Sequence, residues 1–263
     1  MKKAIWFAVA FCLLVSSPGL ALAQDAEEIY FAGQQWDVPR AKWGEFKAYF
    51  DKYEKAVMEK LLADGLIVEW ALAAEGLHSP DGYSHSTWFG ARSIADLEKV
   101  FDAYQEILGK ATAGEGDALL AKLVTKHEDH VLRSAFYANR PVSITKGYLL
   151  GSSWQVKTGK GSDFQKSWEA RQKPVWDKLL ADGVIASYSL ETEHFHTDKP
   201  GRWSIYYAID DMAKDEAVSA AFEAAQEGVS ETERTARRAF FMDIIEPGEH
   251  RDTFDRLIYF QTK

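Results

Sequence analysis

Cysteine is almost missing from this chain: Cys12 is the only one. It lies in an N-terminal apolar stretch expected to be removed, and no small residues precede it as they would a lipid-attachment cysteine. The remaining chain would then hold no thiol, which excludes disulfides, thiolate nucleophiles, thiolate metal sites and covalent c-type haem attachment. Long apolar runs are also scarce. Ala4 to Val15 is well short of the roughly 20 residues that span a bilayer, and no later segment approaches that length. Basic charge is in deficit, with 31 Lys and Arg against 40 Asp and Glu and a formal net charge of −9. An acidic surface argues against nucleic acid, whose phosphates call for a basic patch, and against docking on anionic lipid. Catalytic signatures are missing too: there is no Gly-rich phosphate loop, no His-Glu-x-x-His zinc motif and no Gly-x-Ser-x-Gly elbow.

What is present begins with a secretory signal. Lys2 and Lys3 supply the charged start, Ala4 to Val15 the apolar stretch, and Ala21-Leu22-Ala23 a small-residue cleavage site before Gln24. Residues 1–23 are therefore expected to be removed and the protein to be exported, to a periplasm or the extracellular space. Loss of Lys2 and Lys3 takes the formal charge from −9 to −11, and no membrane association is expected after cleavage.

The chain then repeats itself at an offset of 118 residues. Tyr30, Gly33, Trp36 and Val38 return as Tyr148, Gly151, Trp154 and Val156. Lys60-Leu61-Leu62-Ala63-Asp64-Gly65 returns intact as Lys178-Leu179-Leu180-Ala181-Asp182-Gly183. Glu75 and His78 return as Glu193 and His196. A repeat this long is a small domain, longer than the units of about 20–50 residues that build solenoids. The expected division is a first unit over 24–142 and a second over 143–263.

Each unit opens with period-2 alternation, Tyr30 to Val38 and its copy, which predicts a strand. Gly33 and Gly151 inside these strands suggest close approach of another backbone or a ligand. Phe46, Phe50, Tyr53, Val57 and Leu61 then recur at helical spacing and end at Asp64-Gly65, where glycine suits a left-handed cap. Asp51, Glu54 and Glu59 are expected on the solvated face of that helix. Two strands, a second helix and a last strand follow, the last over Arg133 to Ala138 and over Arg237 to Met242. The order strand, helix, strand, strand, helix, strand, given twice, is the ferredoxin-like split βαβ pattern. The expected fold is α+β: two tandem ferredoxin-like βαββαβ repeats whose antiparallel sheets pack into an intramolecular α/β barrel.

This element order, with Lys-Leu-Leu-Ala-Asp-Gly closing a helix before an extended strand, resembles the dimeric α/β-barrel superfamily in its fused, exported, two-repeat form. The resemblance covers Tyr30 to about Met242. It implies one of several chemistries, since the superfamily includes cofactor-free and haem-degrading monooxygenases, isomerases, chlorite dismutases and stress-response barrels. Shared fold is a weak guide among them. A monomer with an internal pseudo-two-fold axis, or a homodimer, is implied.

The candidate catalytic residues are His78 and His196, at equivalent positions, with Glu75 and Glu193 three residues before each. A carboxylate beside an imidazole orients it and raises its basicity, suiting a general base or a metal ligand. The alternative is a pair of histidines that satisfy a turn. His194, two residues before His196, and His85, across the hairpin from His78, extend the candidate ligand-binding set. Trp36, Trp154, Tyr30 and Tyr148 complete it if their face lines a pocket, the alternative being ordinary core. His127 and His130, three apart, would share a metal or face a haem if they lie on a helix, and the resemblance implies haem as one cofactor choice. No cofactor is demanded by the sequence itself. Three readings result: an exported small-molecule-binding barrel, with a cofactor-free monooxygenase or isomerase acting on an apolar or aromatic metabolite as one form; a haem-binding or haem-modifying protein; and a non-catalytic stress-response or assembly protein.

Overall fold

The computed structural model describes residues 28–77, 82–112, 114–195 and 200–263. The first half runs β1 (Tyr30–Asp37), α1 (Trp43–Tyr53), α2 (Lys55–Asp64), β2 (Glu69–Glu75), β3 (His85–Ala91), α3 (Ile94–Thr112), α4 (Glu115–Leu123) and β4 (Lys126–Asn139). A short β5 (Val142–Ile144) leads into the second half. That half runs β6 (Gly147–Val156), α5 (Gly161–Arg171), α6 (Lys173–Ala181), β7 (Ser187–Glu193), β8 (Arg202–Ile209), α7 (Ala213–Ala224), α8 (Glu231–Ile244) and β9 (Ile245–Thr262).

The strands are hydrogen-bonded in the order β2-β3-β1-β4-β7-β8-β6-β9, and β9 pairs back with β2 to close an antiparallel eight-stranded barrel. β5 adds to the end of β9. Within each half the strand order is the same, and the last strand of each half pairs with the second strand of the other: β4 with β7 and β9 with β2. Closure leaves no long strand edge open to another chain.

Glycines end the paired helices as expected. Gly65 and Gly183 take φ of 77° and 71°, the left-handed region that L-residues with a Cβ avoid. The long helix expected in each half is instead two, with α1 giving way to α2 at Glu54 and α5 to α6 at Gln172. Glu54 is also not solvated. It is 6% exposed, and its carboxylate accepts hydrogen bonds from the hydroxyls of Tyr49, at 2.8 Å, and Tyr104. A charged residue at a helix junction is carried inward when hydroxyl donors wait there.

The expected last strand over Arg237 to Met242 is a correction. Those residues belong to α8, and the strand is β9. Ser230 caps α8 by accepting from the Glu233 amide, and Glu233 pairs with Arg237 one turn on. Ser-x-x-Glu followed by an i,i+4 acid–base pair is a helix-start signature. Likewise His127 and His130 lie on strand β4, not on a helix.

Alternation gives every strand one face under the helices and one face inside the barrel. Two separate cores form outside the barrel. Phe46, Phe50, Leu61, Trp70 and Leu72 pack beneath α1–α4, and Phe164, Trp168, Trp176, Tyr188 and Leu190 beneath α5–α8. Inside, small and apolar residues fill one end: Ala71, Ala73, Ala186, Ala208, Leu257 and Phe260, with Ile144 of β5 against them. The other end is polar and open.

Candidate functional site

The polar end of the barrel holds a cavity of about 930 Å³, within the range of small-molecule sites. Its walls come from the inward faces of the strands. On β7 these are Ser187, Ser189, Glu191 and Glu193, while Tyr188 and Leu190 between them are buried under the helices. On β2 they include Glu69 and Glu75. β3 contributes Trp88, β8 Tyr206 and Arg202, and β9 Asp255.

Glu69 is 4% exposed and heavily engaged. It accepts from the Trp88 indole N–H at 2.9 Å, from the Tyr137 hydroxyl at 3.1 Å and from Ser187. Ser187 belongs to the other half, so this carboxylate ties β2 to β3, β4 and β7 through the barrel interior. Burial nevertheless dominates, pushing the Glu69 carboxyl up to about 7 despite those donors. Glu191, 6% exposed, accepts from the Ser189 hydroxyl at 2.5 Å. Burial, with Glu69 adding like charge, pushes it up to about 8. Asp255, opposite Glu75 in the β2–β9 ladder, is pushed up to about 7 by burial and by Glu75. Burial and Glu191 push the Tyr206 phenol up to about 12. Three carboxyl groups thus titrate near neutrality in one cavity, a setting matched to proton transfer at ordinary pH.

Two of the candidates named from the sequence, Glu75 and Glu193, face this cavity near its open end. His78 and His196 lie outside the described residues. His85 borders the cavity too, with its ring packed in the core, and the other candidates lie elsewhere. Tyr30, Trp36, Tyr148 and Trp154 are on the outward strand faces and pack into the two helix-covered cores. Trp36 donates to Thr87 Oγ1 at 3.1 Å and stacks on His127 with ring centroids 4.2 Å apart, beside a cleft of about 340 Å³. Trp154 stacks on His250 at 5.4 Å. His85 is 3% exposed, its ring against Trp43 and Phe46, and burial pushes it down to about 4, so it is a neutral core residue. His194 meets Tyr30 edge-on at 5.2 Å on the outer face.

His127 and His130 cannot share an iron or another metal, because residues three apart on a strand point to opposite faces. His127 points outward, its Nε2 3.0 Å from Asp129. His130 faces the cavity, 3.8 Å from Glu128. Of the two, His130 alone reaches the cavity, whose wall carries seven carboxylates and the basic side chains Lys126, Arg202 and Arg251. Among the described residues no group of three or more His, Cys, Asp or Glu is arranged to hold a metal ion.

Glu69, Trp88, Glu191, Tyr206 and Asp255 were missed in the sequence. The signal was there in Ser187-Tyr188-Ser189-Leu190-Glu191-Thr192-Glu193, whose inward Ser and Glu residues alternate with Tyr188, Leu190 and Thr192. A second signal lies past the point where the 118-residue offset ends. His127, Asp129 and Arg133 of β4 return as His250, Asp252 and Arg256 of β9, at an offset of 123. His250 also approaches Asp252, at 3.3 Å.

The barrel, closed within one chain from two halves of like order, has the fold of the dimeric α/β-barrel superfamily. Solved structures similar to it include a candidate monooxygenase from Fusobacterium nucleatum subsp. nucleatum, 9% identical, with a TM-score of 0.62 over 91% of this chain and 96% of that one. A candidate monooxygenase from Lactobacillus acidophilus is 12% identical, with a TM-score of 0.60 over 90% and 97%. An anthrone oxidase-like protein is 12% identical, with a TM-score of 0.51 over 90% and 94%. No family model matches the chain, and no curated protein matches it in sequence.

Proposed function

We propose that this chain is an exported small-molecule-binding barrel that takes its ligand inside the barrel and acts on it, without a cofactor, by proton transfer. One observation carries the reading. The barrel interior holds two buried carboxyl groups, Glu69 and Glu191, and the half-buried Asp255 around a cavity of about 930 Å³, where a purely structural barrel would continue the alanine and leucine packing of its other end. Burying carboxyl groups costs stability, and strained polar interiors of this kind concentrate at functional sites. Glu191 and Asp255 are suited to take or give a proton, while Trp88, Tyr206 and Phe31 offer flat and apolar surface to the ligand body. An isomerase or a cofactor-free oxygenase acting on an aromatic metabolite would use such a set. The monooxygenase and oxidase names carried by structures of like fold agree with this reading.

Gly33 supplies the test. It sits on the inward face of β1, and a Cβ there would meet nothing within 4 Å. The mature chain, Gln24 to Lys263, purified from its own host, should show a bound mass in native mass spectrometry that is lost on denaturation. Gly33→Phe should push a ring into the cavity from the β1 wall, keep the melting temperature and lower the occupancy of that mass. A bound mass whose occupancy Gly33→Phe leaves unchanged would put the ligand away from the β1 wall of the cavity. A chain that takes nothing from its host's small-molecule extract would refute the binding role.

A further inference from the structure

Seven carboxylates line the interior cavity against three basic side chains, Lys126, Arg202 and Arg251. The acids reach the greatest depth. Glu69 and Glu191 are buried, whereas Lys126 and Arg251 are exposed at the starts of the strand segments that form the open end. Lys126 also holds its ammonium 4.3 Å from the Tyr83 ring centroid. An anionic ligand would pass this rim only to meet Glu69, Glu191 and Asp255. A neutral one would leave the carboxyl groups desolvated with nothing gained. Trp88 and Tyr206 line the same space, and aromatic faces attract cations. A bare metal ion is not favoured, because no described trio of His, Cys, Asp and Glu is gathered closely enough to coordinate one.

Building on the interior site proposed above, we infer that its ligand is an organic cation, an amine or ammonium group on a flat or apolar body. The charged group sits between Glu69 and Glu191, and the body lies against Trp88 and Tyr206, with Asp255 further along the wall beside Glu75. The groups facing these three acids are Glu75 from β2, Glu128 and His130 from β4, and Glu193 from β7. Arg202 and Tyr206 from β8, Arg251 and Asp252 from β9, Lys126 at the start of β4, and Tyr83 and His85 complete the charged and titratable wall.

Cation binding then displaces a proton. Empty, the deep carboxyl groups hold protons near neutrality; with an ammonium group among them, the ionised form is favoured. Affinity should rise about tenfold per pH unit between pH 6 and 7 for each proton released, by linkage.

Tryptamine is a suitable probe, with 3-ethylindole and indole-3-propionate as neutral and anionic counterparts. Titration calorimetry of the mature chain in buffers of different ionisation enthalpy counts the protons. The expected result is that tryptamine binds with proton release and tightens with pH, and that the counterparts bind at least tenfold more weakly. Glu191→Gln should weaken tryptamine at least tenfold and reduce the proton count while the thermal melt stays cooperative. Glu69→Gln is a second variant of the same kind. Equal binding of the neutral or anionic compound without proton release, weakened by Gly33→Phe, overturns the cation inference and leaves the interior site standing. If none of the three binds and host extract also supplies no ligand, both fall together.

Discussion

Glu191→Gln should make the protein more stable in alkali and leave it nearly unchanged in acid. In the folded chain the Glu191 carboxyl is pushed up to about 8 from an ordinary 4.5, mainly by burial. Between those two pH values the folded state holds a proton that the unfolded state has released. Stability therefore falls as pH rises from 4.5 to 8, then levels off with the full cost in place. At about 1.4 kcal/mol per unit, the cost at pH 9 is at most roughly 5 kcal/mol, and closer to about 3 once water in the cavity and relaxation of Ser189 are allowed for. Glutamine keeps the shape and an oxygen for the Ser189 hydroxyl, and it never ionises. Urea unfolding of both proteins at pH 5 and pH 9 reads the difference. For a chain of this size the gain at pH 9 corresponds to roughly 10 °C in melting temperature. An identical difference between wild type and Glu191→Gln at both pH values would refute the reasoning, because it would mean that Glu191 ionises as freely folded as unfolded.

Three other outcomes follow from the same physics. His85, pushed down to about 4 by burial, has the opposite sign: stability should fall as pH drops from about 6.5 towards 4. Its ring resonances in NMR should stay those of neutral imidazole at pH 5.5, and full protonation there would contradict its burial. Gly151→Ala should destabilise by roughly 2–4 kcal/mol, since a Cβ would meet the Ile205 carbonyl at 2.6 Å and the Tyr206 ring at 2.5 Å. Gly33→Ala, at the equivalent position but facing open space, should cost under about 1 kcal/mol, and equal costs at the two sites would be inconsistent with an interior cavity. Tyr104→Phe removes one of the two hydroxyls that satisfy buried Glu54 and should cost about 1–3 kcal/mol, measured by urea unfolding at pH 7.

The contrast between Gly33 and Gly151 shows how far the repeat can be trusted. Both were expected to mark close approach of a backbone or a ligand; at Gly151 the Ile205 carbonyl and the Tyr206 ring come close, while beside Gly33 no protein atom fills the space. Duplicated residues keep their strand and register, while their neighbours diverge. Glu75 and Glu193 were legible as candidates because they repeat at the ends of equivalent strands, and both face the cavity. Glu69 and Glu191 were not, because neither recurs: Ser187 stands at the copy of Glu69, and Ala73 at the copy of Glu191. The repeat hides the site where the two halves differ.

Local patterns in the chain determine its local structure. The offset of 118, the period-2 strands, the helical spacing of Phe46 to Leu61 and the glycines at 65 and 183 specify two like halves and most of their elements, since each depends on backbone geometry within a few residues. Alternation also separates each strand into two faces. It does not say which face turns inward, because that depends on the strand's partners. Only the pairing of β4 with β7 and of β9 with β2 rolled the sheet so that Trp36 and Trp154 lie under helices and Glu69, Glu191 and Asp255 share one cavity. Those carboxyl groups come from residues more than sixty positions apart, and their ionisation is set by the low-dielectric space that closure creates.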